Sequence, residues 1–181
     1  MMSIGHEITL SQAHAVAQKY IGTQSELTPL GWGMSGFVFA TPDARTAVKH
    51  YRYISGFLAE ATCYRELKRR GVSSLCGFTI PRIHDSSNEL RVIRMDIVSA
   101  PYLLDFAGAE FTPPQYTKDV MDSWHAKIKS EYGRNAWLAY AVFESLKRIG
   151  IYYMDIRRTN LNPLGHPDFE PETESADDEP Y

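Results

Sequence analysis

The alternation of apolar and polar positions divides the chain into a strand-rich first half and a helical second half. Ala13, Val16, Ala17 and Tyr20 form one apolar stripe, which predicts a helix from about Ser11, its expected cap, to Tyr20. Gly22 to Pro29 ends it. Phe37–Val38–Phe39 and Thr46–Tyr51 read as two strands joined through a turn at Thr41–Ala44. Leu58, Ala61, Tyr64 and Leu67 predict a helix over 56–70, stopped by Gly71 after Arg69 and Arg70. Residues 78–83 and 89–95 read as further strands, separated by the polar turn Asp85–Asn88. Past the linker Ser99–Ala100–Pro101, Thr112–Pro113–Pro114 opens a helix over 115–132 with Val120, Trp124 and Ile128 on its inner face. A last helix, 136–148, turns Leu138, Val142, Ser145 and Ile149 inward and stops at Gly150. Trp124 and Trp137 are expected core anchors.

The 181 residues suffice for one domain or two small lobes around a cleft, and 44% hydrophobic content supports a core. The predicted division is a helical extension over 1–28, a strand-rich lobe over 29–98, a shortened helical lobe over 99–167 and an acidic disordered tail over 168–181. Charge sharpens the last of these. Residues 168–181 carry seven acidic side chains and no Lys or Arg, leaving 19 basic against 15 acidic residues elsewhere. A mildly basic body suits a small polyanionic ligand and lacks the dense basic surface of a dedicated nucleic-acid binder. Residues 1–9 read as a frayed leader without a signal-peptide pattern, and no apolar run reaches membrane-spanning length. A cytoplasmic location with no membrane insertion is expected; delivery into a host cell would leave no mark in this chain. Cys63 and Cys76 lack metal or redox spacing, and Cys63 is expected in the core.

The candidate chemistry lies between these elements. Gly31, Gly33 and Gly36 have Gly-x-Gly-x-x-Gly spacing, which leaves backbone N–H groups open to phosphate oxygens. Strand-like residues follow the glycines, so a phosphate-covering flap fits better than a dinucleotide-binding turn. Lys49 on the next strand can reach nucleotide phosphates, braced by Glu60 or, in reserve, Glu66. Backbone groups from Met95 to Ile97 can read an adenine edge. At Asp155–Ile156–Arg157–Arg158–Thr159–Asn160 an acid able to orient a hydroxyl precedes, by five positions, an amide able to hold a metal. Asp168 is the candidate second metal ligand. Leu104–Asp105–Phe106–Ala107–Gly108 has a partial Asp-Phe-Gly pattern but precedes that loop and falls in an expected short helix, so it is set aside.

Taken in order, Gly31/Gly33/Gly36/Val38, Ala47–Val48–Lys49, Glu60, a connector near Met95 and Gly150–Asp155 with Asn160 make the chain resemble a much-shortened, bacterial-type member of the protein-kinase-like family. The resemblance runs from about Gly31 to Asn160. It implies an α+β two-lobe fold with a β-rich N-lobe and an abbreviated helical C-lobe, binding ATP with Mg2+ or Mn2+. By the same resemblance, Gly31, Gly33, Gly36 and Val38 cover the nucleotide and Lys49 holds its phosphates. Asp155 orients the acceptor hydroxyl, Arg157 stands near the transferred phosphate, and Asn160 binds the metal. The expected activity is that of a serine/threonine protein kinase-like enzyme, with a protein as substrate or partner. The alternatives are an inactive pseudokinase serving as an interaction module and a small-molecule kinase. Tyr153 and Met154 stand where the family has His and Arg, and the distal subdomain that recognises peptides is missing.

Overall fold

The computed structural model describes residues 8–171. Residues 1–7 of the expected leader (1–9) and residues 172–181 of the expected acidic tail (168–181) lie outside the described residues. The order is α1 (Leu10–Ile21), β1 (Thr28–Trp32), β2 (Gly36–Ala40), β3 (Thr46–Tyr51), α2 (Ile54–Arg69), β4 (Ser74–Leu75), β5 (Phe78–Thr79), β6 (Ile83–Ser87), β7 (Val92–Asp96), β8 (Tyr102–Leu103), α3 (Lys118–Tyr132), one 3-10 turn (Gly133–Asn135), α4 (Ala136–Arg148) and β9 (Leu161–Asn162). Antiparallel pairing builds a five-stranded sheet in the order β1-β2-β3-β7-β6. A second sheet, β4-β5-β8-β9, joins the two halves of the chain.

Period-two alternation along β2 and β3 gives the large sheet two different faces. Phe37, Phe39 and Val48 meet Ala13 and Ala17 of α1 in a small separate core. Tyr51, Ile93 and Met95 face Phe57, Ala61, Tyr64 and Leu67 of α2. That second core continues without a break into Trp124, Ile128 and Tyr132 of α3 and Leu138, Val142 and Leu146 of α4. The result is an α+β, kinase-like two-lobe arrangement: a sheet-rich N-terminal part and a short helical C-terminal part.

Local differences from the sequence pattern have physical causes. Thr9 caps α1 in place of Ser11, because Thr9 and Gln12 form a reciprocal capping box. The expected strand 78–83 is interrupted at Ile80–Arg82, around Pro81, which has no N–H for a ladder. Strand β6 runs through the expected turn, because Asp85, Ser86 and Ser87 pair with β7 and Asp85 also takes the Arg94 guanidinium. α3 begins at Lys118, capped by Thr117, and leaves Val120 46% exposed. Trp137 is 48% exposed, so Trp124 anchors the core and Trp137 does not. Cys63 is buried and Cys76 exposed, both as free thiols. Among the described residues no helix is long and apolar enough to cross a membrane.

His50 of β3 predicts a pH effect. It is buried, its Nδ1 has no hydrogen-bond partner, and burial together with Arg91 and Arg52 lowers its pKa from 6.5 to about 4. Neutral His50 therefore stabilises the fold fully above pH 6.5, and this contribution is lost as pH falls from 6.5 toward 4. The loss is on the order of 2 kcal/mol. Urea denaturation at several pH values in that window should show it, and His50→Gln should flatten the dependence.

Candidate functional site

The centre of the site is a buried ammonium held between two carboxylates. Lys49 shares the inner face of β3 with Ala47 and Tyr51 and is 4% exposed. Its Nζ lies 2.6 Å from Glu60 Oε2 and 2.6 Å from Asp105 Oδ1. Glu60 follows Phe57 by three positions on the inward stripe of α2, which puts its carboxylate, 1% exposed, under the sheet. Glu66 lies outside that stripe and binds Arg69 and Arg70, whose hydrogen bonds pull its pKa down to about 2. Burial opposes the Lys49 charge, yet Glu60 and Asp105 keep its pKa above the usual lysine value. Burial, with Asp105 nearby, raises that of Glu60.

Asp105 was set aside in the linear sequence because it precedes the Asp155 loop, and the structure reverses that placement. β8 pairs antiparallel with β9, Tyr102 opposite Asn162 and Leu103 opposite Leu161. Leu104 N donates to Asn160 O at 2.8 Å. The strand immediately after Asn160 thus carries the strand immediately before Asp105 alongside it. No helix forms at 104–108. Asp105 takes a left-handed φ of 63°, and Phe106 is buried between Tyr64 and Tyr153.

α4 stops at Arg148, and just beyond it Gly150, with a φ of 80°, lets Gly150 N and Ile151 N close on Lys147 O and Leu146 O. The chain then enters the loop through a bridge between Tyr152 and Glu110. Tyr153 is fully buried and supplies the scaffold of the loop. Its hydroxyl lies 2.8 Å from Asp105 O and 2.9 Å from Asp155 O, and accepts from Asn160 Nδ2 at 3.0 Å. One phenol thereby ties together both aspartates and the amide. Met154 O accepts from Trp124 Nε1 at 2.8 Å, fixing the loop to α3.

Asp155 is 38% exposed at its side chain. Its Oδ1 meets Arg157 Nε at 2.5 Å and Lys127 Nζ at 3.8 Å, and Oδ2 accepts from Asn160 Nδ2 at 3.4 Å. The Asp155 hydrogen bond raises the Arg157 pKa further. Asn160 is buried, and its Oδ1 accepts the Thr159 hydroxyl at 3.2 Å.

Gly31 lies in β1 and Gly36 opens β2, with Gly33 in the turn of the hairpin between them, closed by Gly33 N to Gly36 O at 2.9 Å. The space beside Gly31 and Gly33 is open, whereas Gly36 lies against His50. Ser35 Oγ reaches Asp105 Oδ2 at 3.4 Å, so the hairpin tip closes over the Lys49 triad. Val38 is directly opposite Lys49. The backbone of Met95 lies in the ladders with β3 and β6, and Ile97 N donates to Arg45 O at 3.2 Å. Those amides are therefore engaged within the sheet. Asp168 is exposed, in a turn where its amide donates to His166 Nδ1 at 3.1 Å. His166 binds Cys76 O, which places this turn on the β4–β5 side.

Asp105 and Asn160 present a carboxylate and an amide oxygen, a hard-oxygen set that fits Mg2+ or Mn2+. Among the described residues Asp105 Oδ2 has the long Ser35 contact alone, leaving lone pairs for an ion. Among the described residues no group of three or more His, Cys, Asp or Glu is placed to hold a metal, so an ion held by this pair would need further oxygens from a ligand and water.

No family model matches the chain, and no curated protein matches it. Among solved structures it is similar to the streptomycin–ATP–APH(2")-IIa ternary complex at 18% identity and a TM-score of 0.36, covering 69% of this chain and 36% of that one. It is likewise similar to the gentamicin–APH(2")-IIa complex at 18% identity and a TM-score of 0.37, covering 73% of this chain and 36% of that one. These comparisons correct three expectations: a protein hydroxyl as acceptor, a protein partner, and a serine/threonine protein kinase-like enzyme. The similar structures are aminoglycoside-phosphotransferase complexes with small antibiotics. The chain spans about a third of their length, and at this identity the likeness is one of fold.

Proposed function

We propose that this chain is a kinase-like phosphotransferase that uses ATP and a divalent cation to phosphorylate a hydroxyl of a small molecule. The observation that carries the reading is the Tyr153 hydroxyl, which gathers Asp105, Asp155 and Asn160 beside the Lys49–Glu60 pair. Phosphoryl transfer needs little covalent help from a protein and much positioning and charge stabilisation. Lys49, kept charged and rigid by Glu60, holds the nucleotide phosphates. The open backbone of Gly31 and Gly33 covers them, with Gly36 setting the hairpin. Asp105 and Asn160 hold the divalent cation, which offsets phosphate charge when bound. Asp155 orients the acceptor hydroxyl and takes its proton while the hydroxyl oxygen bonds to the γ-phosphorus. The bond from that phosphorus to the β-phosphate oxygen breaks, and ADP leaves. Arg157 turns from Asp155 to the transferred phosphoryl group. Asp168 has no part in this arrangement.

Calorimetry with ATP and Mg2+ tests the nucleotide half. Binding should be Mg2+-dependent. Gly33→Val, which fills open space without touching the fold, should weaken it by about tenfold at unchanged melting temperature. Absence of ATP binding in the wild-type chain would overturn the reading.

A further inference from the structure

Among the described residues three buried side-chain atoms lack a hydrogen-bond partner, and two of them, Tyr51 Oη and Glu60 Oε1, belong to the side chains around Lys49. Lys49 takes Glu60 Oε2 and leaves Oε1 without a donor. Tyr51 follows Lys49 by two positions on the same face of β3, and its ring centroid is 4.9 Å from Lys49 Nζ. The same ring stands edge-on to Phe57, centroids 5.6 Å apart. Phe57 precedes Glu60 by three positions on α2, so Tyr51 bridges the strand that carries the lysine and the helix that carries the glutamate. Its phenol lies near enough to interact with the Glu60 carboxylate: burial and that negative charge push the Tyr51 pKa well above its usual value. The hydroxyl stays protonated, a donor beside an acceptor, yet outside good hydrogen-bond geometry. An unpaired donor and acceptor in a site with 1% exposure or less cost stability, which points to a second arrangement that uses them.

In the unliganded site the Lys49 ammonium is shared by Glu60 and Asp105, at 2.6 Å each. Once Asp105 turns to a cation, Glu60 alone balances Lys49, and a carboxylate held through one oxygen turns easily about its broad terminal torsion. We propose that Tyr51 is a positioning residue of the phosphate site, its hydroxyl donating to the second Glu60 oxygen when Asp105 leaves Lys49, so that the Lys49–Glu60 pair is held rigid against the nucleotide phosphates. The inference rests on the phosphotransfer reading and adds Tyr51 to the groups that serve Lys49. The unliganded fold carries the unpaired hydroxyl, and the loaded site uses it.

Tyr51→Phe keeps the ring and removes the hydroxyl, and its two expected effects have opposite signs. Without nucleotide the variant should melt about 3 °C above wild type, since a buried unpaired donor is gone. Calorimetry should show ATP with Mg2+ bound about tenfold more weakly, since the loaded site loses a hydrogen bond to a charged group. A merely structural hydroxyl would not raise stability and lower affinity together when removed. Tyr64→Phe is the control: its buried hydroxyl reaches Met95 Sδ at 3.8 Å, and its removal should leave ATP affinity within about twofold. NMR of tyrosine isotopically labelled at Cζ reads the bond directly. The Tyr51 resonance, identified by its loss in Tyr51→Phe, should shift when ATP and Mg2+ are added. An unchanged or lower melting temperature overturns the inference, because the hydroxyl is then already satisfied, by Glu60 or a buried water. ATP affinity equal to wild type overturns it as well, as does a Tyr51 resonance that does not respond to nucleotide. Absence of ATP binding in the wild type sinks the phosphotransfer reading and this inference with it, while ATP binding insensitive to Tyr51→Phe sinks this inference alone.

Discussion

Asparagine at position 105 is expected to lower phosphoryl transfer by about a thousandfold, while Asp168→Asn leaves it within about twofold. The substitution keeps the shape of Asp105 and removes the charge that would face the cation. Lys49 keeps Glu60 at 2.6 Å, so the buried ammonium remains paired and the melting temperature should change little. Tyr153 is untouched, since it contacts the Asp105 backbone carbonyl and not the side chain. Activity is read by transfer of labelled phosphate from ATP to small hydroxyl compounds, and the fold by thermal denaturation of the same samples. Asp155→Asn serves as the reference for a lost hydroxyl-orienting group and should reach a similar loss, of about a thousandfold. A full loss in Asp168→Asn with an active Asp105→Asn would reverse the assignment of the second metal ligand.

Gly36→Ala is expected to destabilise the fold by roughly 3 kcal/mol or more, whereas Gly31→Ala and Gly33→Ala should fold normally. A Cβ at Gly36 would stand 2.0 Å from His50 O and 3.0 Å from the Tyr51 Cα. Both neighbours are backbone atoms of β3, paired to β2 by the register that sets Gly36 opposite Tyr51. Relief requires the hairpin to separate next to Lys49, where the core begins. Gly31 and Gly33 meet nothing within 4 Å, so alanine there changes only the flap surface. Urea midpoints for the three variants check this; equal destabilisation in all three would show that the hairpin needs glycine for another reason. The outcome also separates two demands that share one motif, strand approach at Gly36 and an open surface at Gly31 and Gly33.

Much of this architecture is readable from local pattern. The stripe Ala61, Tyr64, Leu67 defines α2, and the same helical period that buries it brings Glu60 beneath β3, which is why Glu60 and not Glu66 meets Lys49. Gly150 and the apolar run after it mark the entry to the Asp155 loop. The adenine-reading role expected of Met95 and Ile97 was less legible, since whether a backbone amide is free depends on which strand pairs with it. Trp137 and Val120 misled because a helical stripe gives relative facing only, and the partner helix decides which side is covered.

The sequence by itself determined the α+β division, the glycine hairpin and the Asp155–Asn160 loop, and narrowed the partner of Lys49 to Glu60 or Glu66, because each depends on periodicity or spacing within a few turns of chain. Only the tertiary structure decided that Asp105 belongs beside Lys49, that Tyr153 scaffolds the loop and that Lys127 flanks Asp155. Those contacts are made across β8 pairing with β9 and α3 packing under the loop, between residues 56, 48 and 28 positions apart. Order along the chain carries no information about such neighbours, since strand pairing can set an upstream segment beside a downstream one.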